Sequence, residues 1–159
     1  MKTVDPSIAH IAQFERDTPD ANPIVMVNLL KFRDVANYSA PDGARVLTGR
    51  DAYRRYSKAV VPLVFEVGGQ PMWMGSARST VIAPDEESWD EVVLVHYPSR
   101  QAFLRMIKSK AYQSIVHHRT AALIDSRLVE TRALPLPPWK IGIARTAVRM
   151  KALLFPKVA

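Results

Sequence analysis

"IVMVNLLKFR", residues 24 to 33, is an apolar run of strand length, rich in branched side chains and interrupted only by Asn28 before it closes on Lys31 and Arg33. A run with this little alternation reads as a strand buried on both faces, and so as a central one. The flanking segments fall into place around it. Upstream, "DPSIAHIAQFE" predicts a short helix capped by Asp5, with Pro6 at its first position and Ile8, Ile11 and Ala12 on one face. Two prolines in "TPDANP" end it. Downstream, a polar stretch with Pro41, Gly43 and Gly49 is a surface excursion long enough to act as a lid.

"DAYRRYSKAVVPLVFEVGG", from Asp51, then places Tyr53, Tyr56, Val60, Leu63 and Val67 at helical spacing, with a kink at Pro62 and a stop at Gly68 and Gly69. Residues 71–83 and 90–98 read as strands on either side of the turn-forming "PDEES". Ser99 is a good cap for a helix whose buried stripe is Ala102, Phe103, Met106 and Ile107. "KSKA" breaks that helix before a second section over 111–125, and 126–132 alternates as a short strand. The order β-α-β-β-α-β is the ferredoxin-like plan, an α+β fold with a four-stranded antiparallel sheet. It divides the chain into an N-terminal helical extension (1–23), the domain (24–133) and a proline-rich linker with a basic amphipathic tail (134–159).

Composition narrows the function classes. A chain of 159 residues with 48% hydrophobic content has the dimensions of one globular domain. It has no cysteine, which removes disulfides, thiolate metal sites and cysteine nucleophiles and fits a cytoplasmic location. The N-terminus lacks a secretory apolar core, and no run approaches the ~18 apolar residues of a membrane span. The net charge of +7 invites a nucleic-acid reading, but the tail alone contributes Lys140, Arg145, Arg149, Lys151 and Lys157 without an acid. Nucleic acid is therefore not an expected partner. The tail is expected to clamp a partner subunit, with contact to a membrane surface as the lesser reading.

The fragments "MVNLLKF", "YRRY", "VGGQPMWMG", "WDEVVLVHYPSRQAF" and "AYQSIVHHRTAALIDSRLVETR", in that order, resemble the bacterial family catalogued as domain of unknown function number 1330. The resemblance spans about residues 5–133 and leaves the tail outside. It implies a homodimeric α+β barrel in which two ferredoxin-like protomers pack sheet against sheet, and it implies no reaction. Related folds include haem-degrading monooxygenases, polyketide cyclases and muconolactone isomerases, a kinship that cannot assign chemistry.

Candidate chemistry gathers in "IVHHRTAALI", residues 115–124. At about 100° per residue, Tyr112, Ile115, Val116, Ala122 and Leu123 share a helical face with Arg119 near its centre. His118 is at the border of that face and His117 on the far side. Adjacent histidines diverge on a helix and cannot grip one ion as an i, i+4 pair would, so no metal site is expected. Arg119 needs partners among its apolar neighbours. Either it forms a structural ion pair with Asp90 or Glu130, or it is a fork for a substrate carboxylate or enolate. His118 is the candidate base. Asn28 either ties neighbouring elements together or points at a ligand.

Trp73 and Tyr97 are candidate pocket walls, with core or dimer interface as the alternative. His96, alternating with Val92 and Leu94, has core or interface as its default. RNA binding through the same strand order is disfavoured because Met26 replaces a stacking aromatic and the third strand opens with the acidic "WDE". No phosphate loop or GxSxG elbow occurs. Haem-degrading relatives pair a first-strand asparagine with a helical histidine, roles Asn28 and His118 could fill. Those relatives also carry a tryptophan two to three turns earlier on that helix, and "RMIKSKAYQ" has none. The expected function is binding of a small anionic organic molecule without a cofactor. Arg119 and His118 would act in isomerisation, cyclisation or oxygenation, or the site would bind without catalysis.

Overall fold

Residues 24–32 form a central strand, hydrogen-bonded along both edges. The computed structural model describes residues 2–16, 21–39 and 46–134. Strand β1 (Ile24–Phe32) pairs antiparallel with β3 (Glu91–Tyr97) on one side and β4 (Leu123–Thr131) on the other, and β2 (Gln70–Ser76) completes the order β2-β3-β1-β4. Helices α1 (Ile8–Arg16), α2 (Gly49–Glu66), α3 (Arg100–Lys108) and α4 (Lys110–Ala122) supply the rest. This is the expected ferredoxin-like fold. The basic tail, and Pro41 and Gly43 of the expected lid, lie outside the described residues.

One face of β1 carries Ile24, Met26 and Leu30, all buried, together with Asn28 and Phe32. Ile24 and Met26 join Val64, Tyr97, Phe103 and Met106 in one cluster, while Leu30 joins Ala52, Tyr53, Tyr56, Ala122 and Leu123 in a second. The helices lie over this face. Thr48 caps α2 by accepting from the Asp51 amide, and Ser99 caps α3 as expected by accepting from Ala102. Ser109 ends α3 and caps α4, its hydroxyl accepting from Tyr112, which is why "KSKA" breaks the helix.

Three boundaries differ from the sequence reading. The α1 cap is Ser7, whose hydroxyl accepts from the His10 amide at 3.1 Å. Asp5 turns away to take a hydrogen bond from Thr120 at 2.9 Å. Strand β4 begins at Leu123, so residues 123–125 are strand rather than helix. "AALI" fits either period, and the fully buried Leu123, paired with Phe32 beyond a register shift, decides it. Strand β2 ends at Ser76, opposite the first residue of β3, and 77–83 leave the sheet.

The second face of the sheet carries Val25, Val27 and Leu29 of β1, with Val92, Leu94 and His96 opposite them on β3. Val129 faces Val27 from β4, and Trp73 faces Leu94 from β2. The Trp73 indole lies over Gly75, where an added Cβ would meet its ring. Trp73 is 53% exposed and Val129 49% exposed on the outer strands, while Val25, Val27, Leu29, Val92 and Leu94 between them are half-buried, so none of this face is fully covered in the protomer.

Residues 2–7 run along the outer edge of β4. The Ser126 amide donates to the Thr3 carbonyl at 2.6 Å, and the Thr3 amide donates to Asp125 at 2.8 Å. Burial alone would raise the Asp125 carboxyl, but the Thr3 amide and the Arg127 guanidinium outweigh it and hold the group below its usual range. Beyond this segment, α1 docks on α3 through Phe14 against Phe103 (5.7 Å between ring centres) and through a Glu15–Lys108 ion pair at 2.8 Å.

Gly49 is the tightest crossing. It is buried at the start of α2, its amide donates to Arg33 O at 3.1 Å, and a Cβ there would collide with the carbonyl oxygens of Arg33 and Ala122. Backbone atoms cannot yield as a side-chain tip can. Gly49→Ala is expected to destabilise the fold by about 3 kcal/mol, the upper end of overpacking costs, as measured by urea unfolding. A cost within about 0.5 kcal/mol, typical of surface changes, would show that the crossing is looser.

Candidate functional site

Arg119 is 7% exposed, and its fork is met from inside the chain. One terminal nitrogen donates to the Val4 carbonyl at 2.8 Å and the other to Ser126 Oγ at 3.1 Å. The Asp5 carboxylate stands 3.7 Å from the guanidinium. The partners expected from sequence are engaged elsewhere. Asp90 accepts from the Phe32 amide at 2.8 Å and pairs with Lys31, and Glu130 pairs with Arg100 at 2.6 Å. Both lie along the sheet beyond the reach of α4, whereas residues 4 and 5 pass directly beside it.

Around Arg119 the helix-facing layer holds a group of tyrosines. Tyr53 and Tyr56 have ring centres 5.4 Å apart, and Tyr56 meets Tyr112 edge-on at 6.3 Å. Burial is the main cause that pushes the Tyr53 phenol up; the charge of Arg119 opposes it, and Glu91 and Tyr112 add to it. Burial likewise dominates at Tyr56, reinforced by Tyr112 through charge and a side-chain hydrogen bond. Tyr97 is raised by burial too, and its hydroxyl reaches only the sulfur of Met106, at 3.8 Å. These phenols are neutral donors at physiological pH in a region that also contains a fixed positive charge. The sequence reading placed Tyr53, Tyr56 and Tyr112 on apolar helix faces. The signal it left unused was their shared chemistry, since burying several hydroxyls costs free energy that aliphatic side chains would not incur.

Asn28 projects into the same layer, and its amide nitrogen donates to Met26 O at 3.4 Å and Val93 O at 3.3 Å, which ties β1 to β3. Trp73 is on the opposite face of the sheet and shares no space with Arg119 or Asn28. His118 is half-buried at the border of α4, as its spacing suggested, and its Nδ1 is 2.8 Å from Tyr38 Oη. His117 is exposed, but the two imidazoles do not diverge as expected. Their ring centres are 4.0 Å apart, with Tyr38 edge-on to both, because side-chain rotation closes an angle that Cα directions open. Among the described residues, no group of three or more histidine, aspartate or glutamate side chains could hold a metal ion.

Two open surface clefts lie elsewhere. One of about 510 Å³ is bordered by Lys31, Arg33, Asp34, Glu87 and Asp125, and a second of about 610 Å³ by Leu104, Arg105 and Lys108. Neither includes Arg119, His118 or Asn28.

The tyrosine environment has a consequence at high pH. A phenol whose pKa is raised on folding contributes stability that is complete below its ordinary value of 10.0 and is lost as pH rises through the folded value. Tyr53, Tyr56 and Tyr97 should therefore ionise only together with loss of the far-ultraviolet dichroism, well above pH 10. A spectrophotometric titration checks this. Reversible ionisation of these phenols with the dichroism intact would show an open interior.

Comparison with known proteins agrees with this architecture. No curated protein matches the chain. The RPA0582 protein of unknown function from Rhodopseudomonas palustris is 36% identical, and the alignment covers 86% of this chain and 100% of that one with a TM-score of 0.78. Its methylated form gives 38% identity over 86% and 98% of the two chains at the same score. A dimeric ferredoxin-like protein of unknown function from Bacteroides fragilis is a remote likeness, at 10% identity, 70% and 96% coverage and a TM-score of 0.45. Residues 44–131 match the sequence profile described as Domain of unknown function (DUF1330), and the chain belongs to that family.

Proposed function

We propose that the chain forms a homodimeric α+β barrel through its open sheet face and that each protomer binds a small, partly apolar anionic molecule between sheet and helices. The observation that carries the binding reading is Arg119, a guanidinium only 7% exposed between α4 and β4, with the neutral Tyr53 phenol within range of its charge. An anionic oxygen would take charge-assisted hydrogen bonds from the guanidinium and could accept from the Tyr53 hydroxyl beside it. Arg119 would anchor the acidic group, Asn28 and Tyr53 would orient it, and Tyr97 would close the far wall. His118, paired with Tyr38, is the group able to move a proton, by which binding would become isomerisation, cyclisation or cofactor-free oxygenation.

The dimer reading rests on the apolar second face. Val25, Val27, Leu29, Val92, Leu94 and Trp73 form a contiguous patch of the kind that soluble monomers rarely leave open. Trp73 thereby moves from the ligand site to the subunit interface. A face of valine and leucine with one tryptophan at its edge fits the same face of a second copy, which is the isologous arrangement of a two-fold dimer.

Native mass spectrometry of the purified protein tests both parts. The expected spectrum is a dimer carrying a small mass that denaturation releases. Leu94→Lys should convert the dimer to monomer. Tyr53→Phe should preserve the dimer and weaken ligand retention about tenfold, the worth of one hydrogen bond. A monomeric wild type would overturn the assembly. A bare dimer that also fails to bind carboxylic acids on screening would overturn the binding site.

A further inference from the structure

We propose that residues 2–7 are a displaceable strap over the Arg119–Tyr53 interior, and that the Val4 carbonyl and Asp5 carboxylate occupy the guanidinium until a ligand carboxylate takes their place. This rests on the interior binding reading above and adds the route into it and the contact that regulates it.

Three observations converge. The strap covers the right place: the Val4 side chain packs against the cluster of Leu30, Tyr53 and Tyr56, and its carbonyl accepts from Arg119 at 2.8 Å and from Ser126 Oγ at 3.0 Å. Its chemistry is that of the expected ligand, since beside Ser126 Oγ the strap offers Arg119 one carbonyl oxygen, Val4 at 2.8 Å, and one carboxylate, Asp5 at 3.7 Å. A carboxylic acid could present both from a single group, in the two-pronged geometry that a guanidinium fork prefers.

The third observation is how the strap is held. Residues 2–7 belong to no helix or strand and lie on exposed ground. Asp5 is 46% exposed and its bond to Thr120 is at the surface, as is the Thr3–Asp125 bond. Such surface fastenings contribute little each, and the stronger ones, Ser126 N–H to Thr3 O at 2.6 Å and Arg119 to Val4 O at 2.8 Å, are bonds that water or a ligand oxygen would replace when the strap lifts. By contrast, α1 immediately beyond is anchored by Phe14, which packs edge-on against Phe103 and under the Arg100 guanidinium, so residues 2–7 can lift while α1 stays in place. Under the strap, Arg119 is only 7% exposed, so a ligand approaching it from the β4 edge must move residues 4 and 5 first. The site is thus self-inhibited: apparent affinity is reduced by the fraction of protein in which the strap is closed.

The test loosens the strap without touching the site. Asp5→Asn combined with Thr120→Val removes the carboxylate and its surface fastening and leaves Arg119, Tyr53 and Ser126 unaltered. Benzoate is the probe, with binding measured by calorimetry and strap opening by hydrogen exchange at the Ser126 amide, which is bonded to Thr3. The expected result is faster exchange at Ser126 and benzoate binding about tenfold tighter than in the wild type. Tyr53→Phe in the loosened background should weaken binding again, which locates the ligand in the interior. Unchanged benzoate affinity in the loosened protein, whatever the exchange rate, overturns the strap and leaves the interior site standing. Absence of binding to both proteins overturns the interior site, and the strap as its gate falls with it.

Discussion

The fold depends on one strand that is apolar on both sides. Strand β1 is hydrogen-bonded along both edges, by β3 and by β4, so its position is fixed before its side chains are considered. Its even-numbered residues Ile24, Met26 and Leu30 enter both clusters beneath the helices, with Tyr97 of β3 and Leu123 of β4, and its odd-numbered residues Val25, Val27 and Leu29 lie at the centre of the second face. Helices on one side of a four-stranded sheet satisfy half of that demand. The remaining half is what the proposed second copy would cover, because a solvated sheet face would alternate apolar with polar residues rather than add valine and leucine outward.

Beneath the helices the packing is not purely apolar, and its polar members are coupled. Arg119 joins α4 to β4 through Ser126 and to the N-terminal segment through Val4. Its charge reaches Tyr53 and Tyr56, whose phenols burial keeps neutral. A purely structural role for the arginine accounts for the Val4 and Ser126 bonds. It does not account for three tyrosines gathered on the same side of the sheet, where leucine or phenylalanine would fill the volume without leaving hydroxyls to satisfy.

Much of this was legible in the chain because it is local. The strand order, the Ser99 cap, the break at Ser109 and the inward position of Arg119 each follow from a few neighbouring residues and a known period. The errors came where two local solutions compete or where the partner is distant. Asp5-Pro6 and Ser7 are comparable helix starts, and the choice was made by Thr120 and Arg119, more than a hundred residues away, which engage the Asp5 carboxylate. The α4–β4 junction reads as helix until Leu123 pairs with Phe32. The partners of Arg119 were missed for the same reason. Val4 and Ser126 offer a carbonyl and a hydroxyl, whereas a charge-based reading searches among acids.

The sheet itself separates the two roles assigned to the chain. Trp73, Leu94 and Val27 face one way, and Asn28, Tyr97 and Leu30 the other, with the backbone of β1 and β3 between them. A molecule bound against Tyr53 would therefore make no contact with the second copy. Any influence of binding on assembly would have to pass through the strands, and one bond is placed to carry it: Asn28 donates to the Val93 carbonyl, between Val92 and Leu94 of the open face. A ligand that drew the Asn28 amide away would release that carbonyl and loosen the β1–β3 ladder at its middle. In the proposed dimer that face is the subunit contact, so occupancy and dimer strength would be linked through a backbone bond rather than through shared side chains.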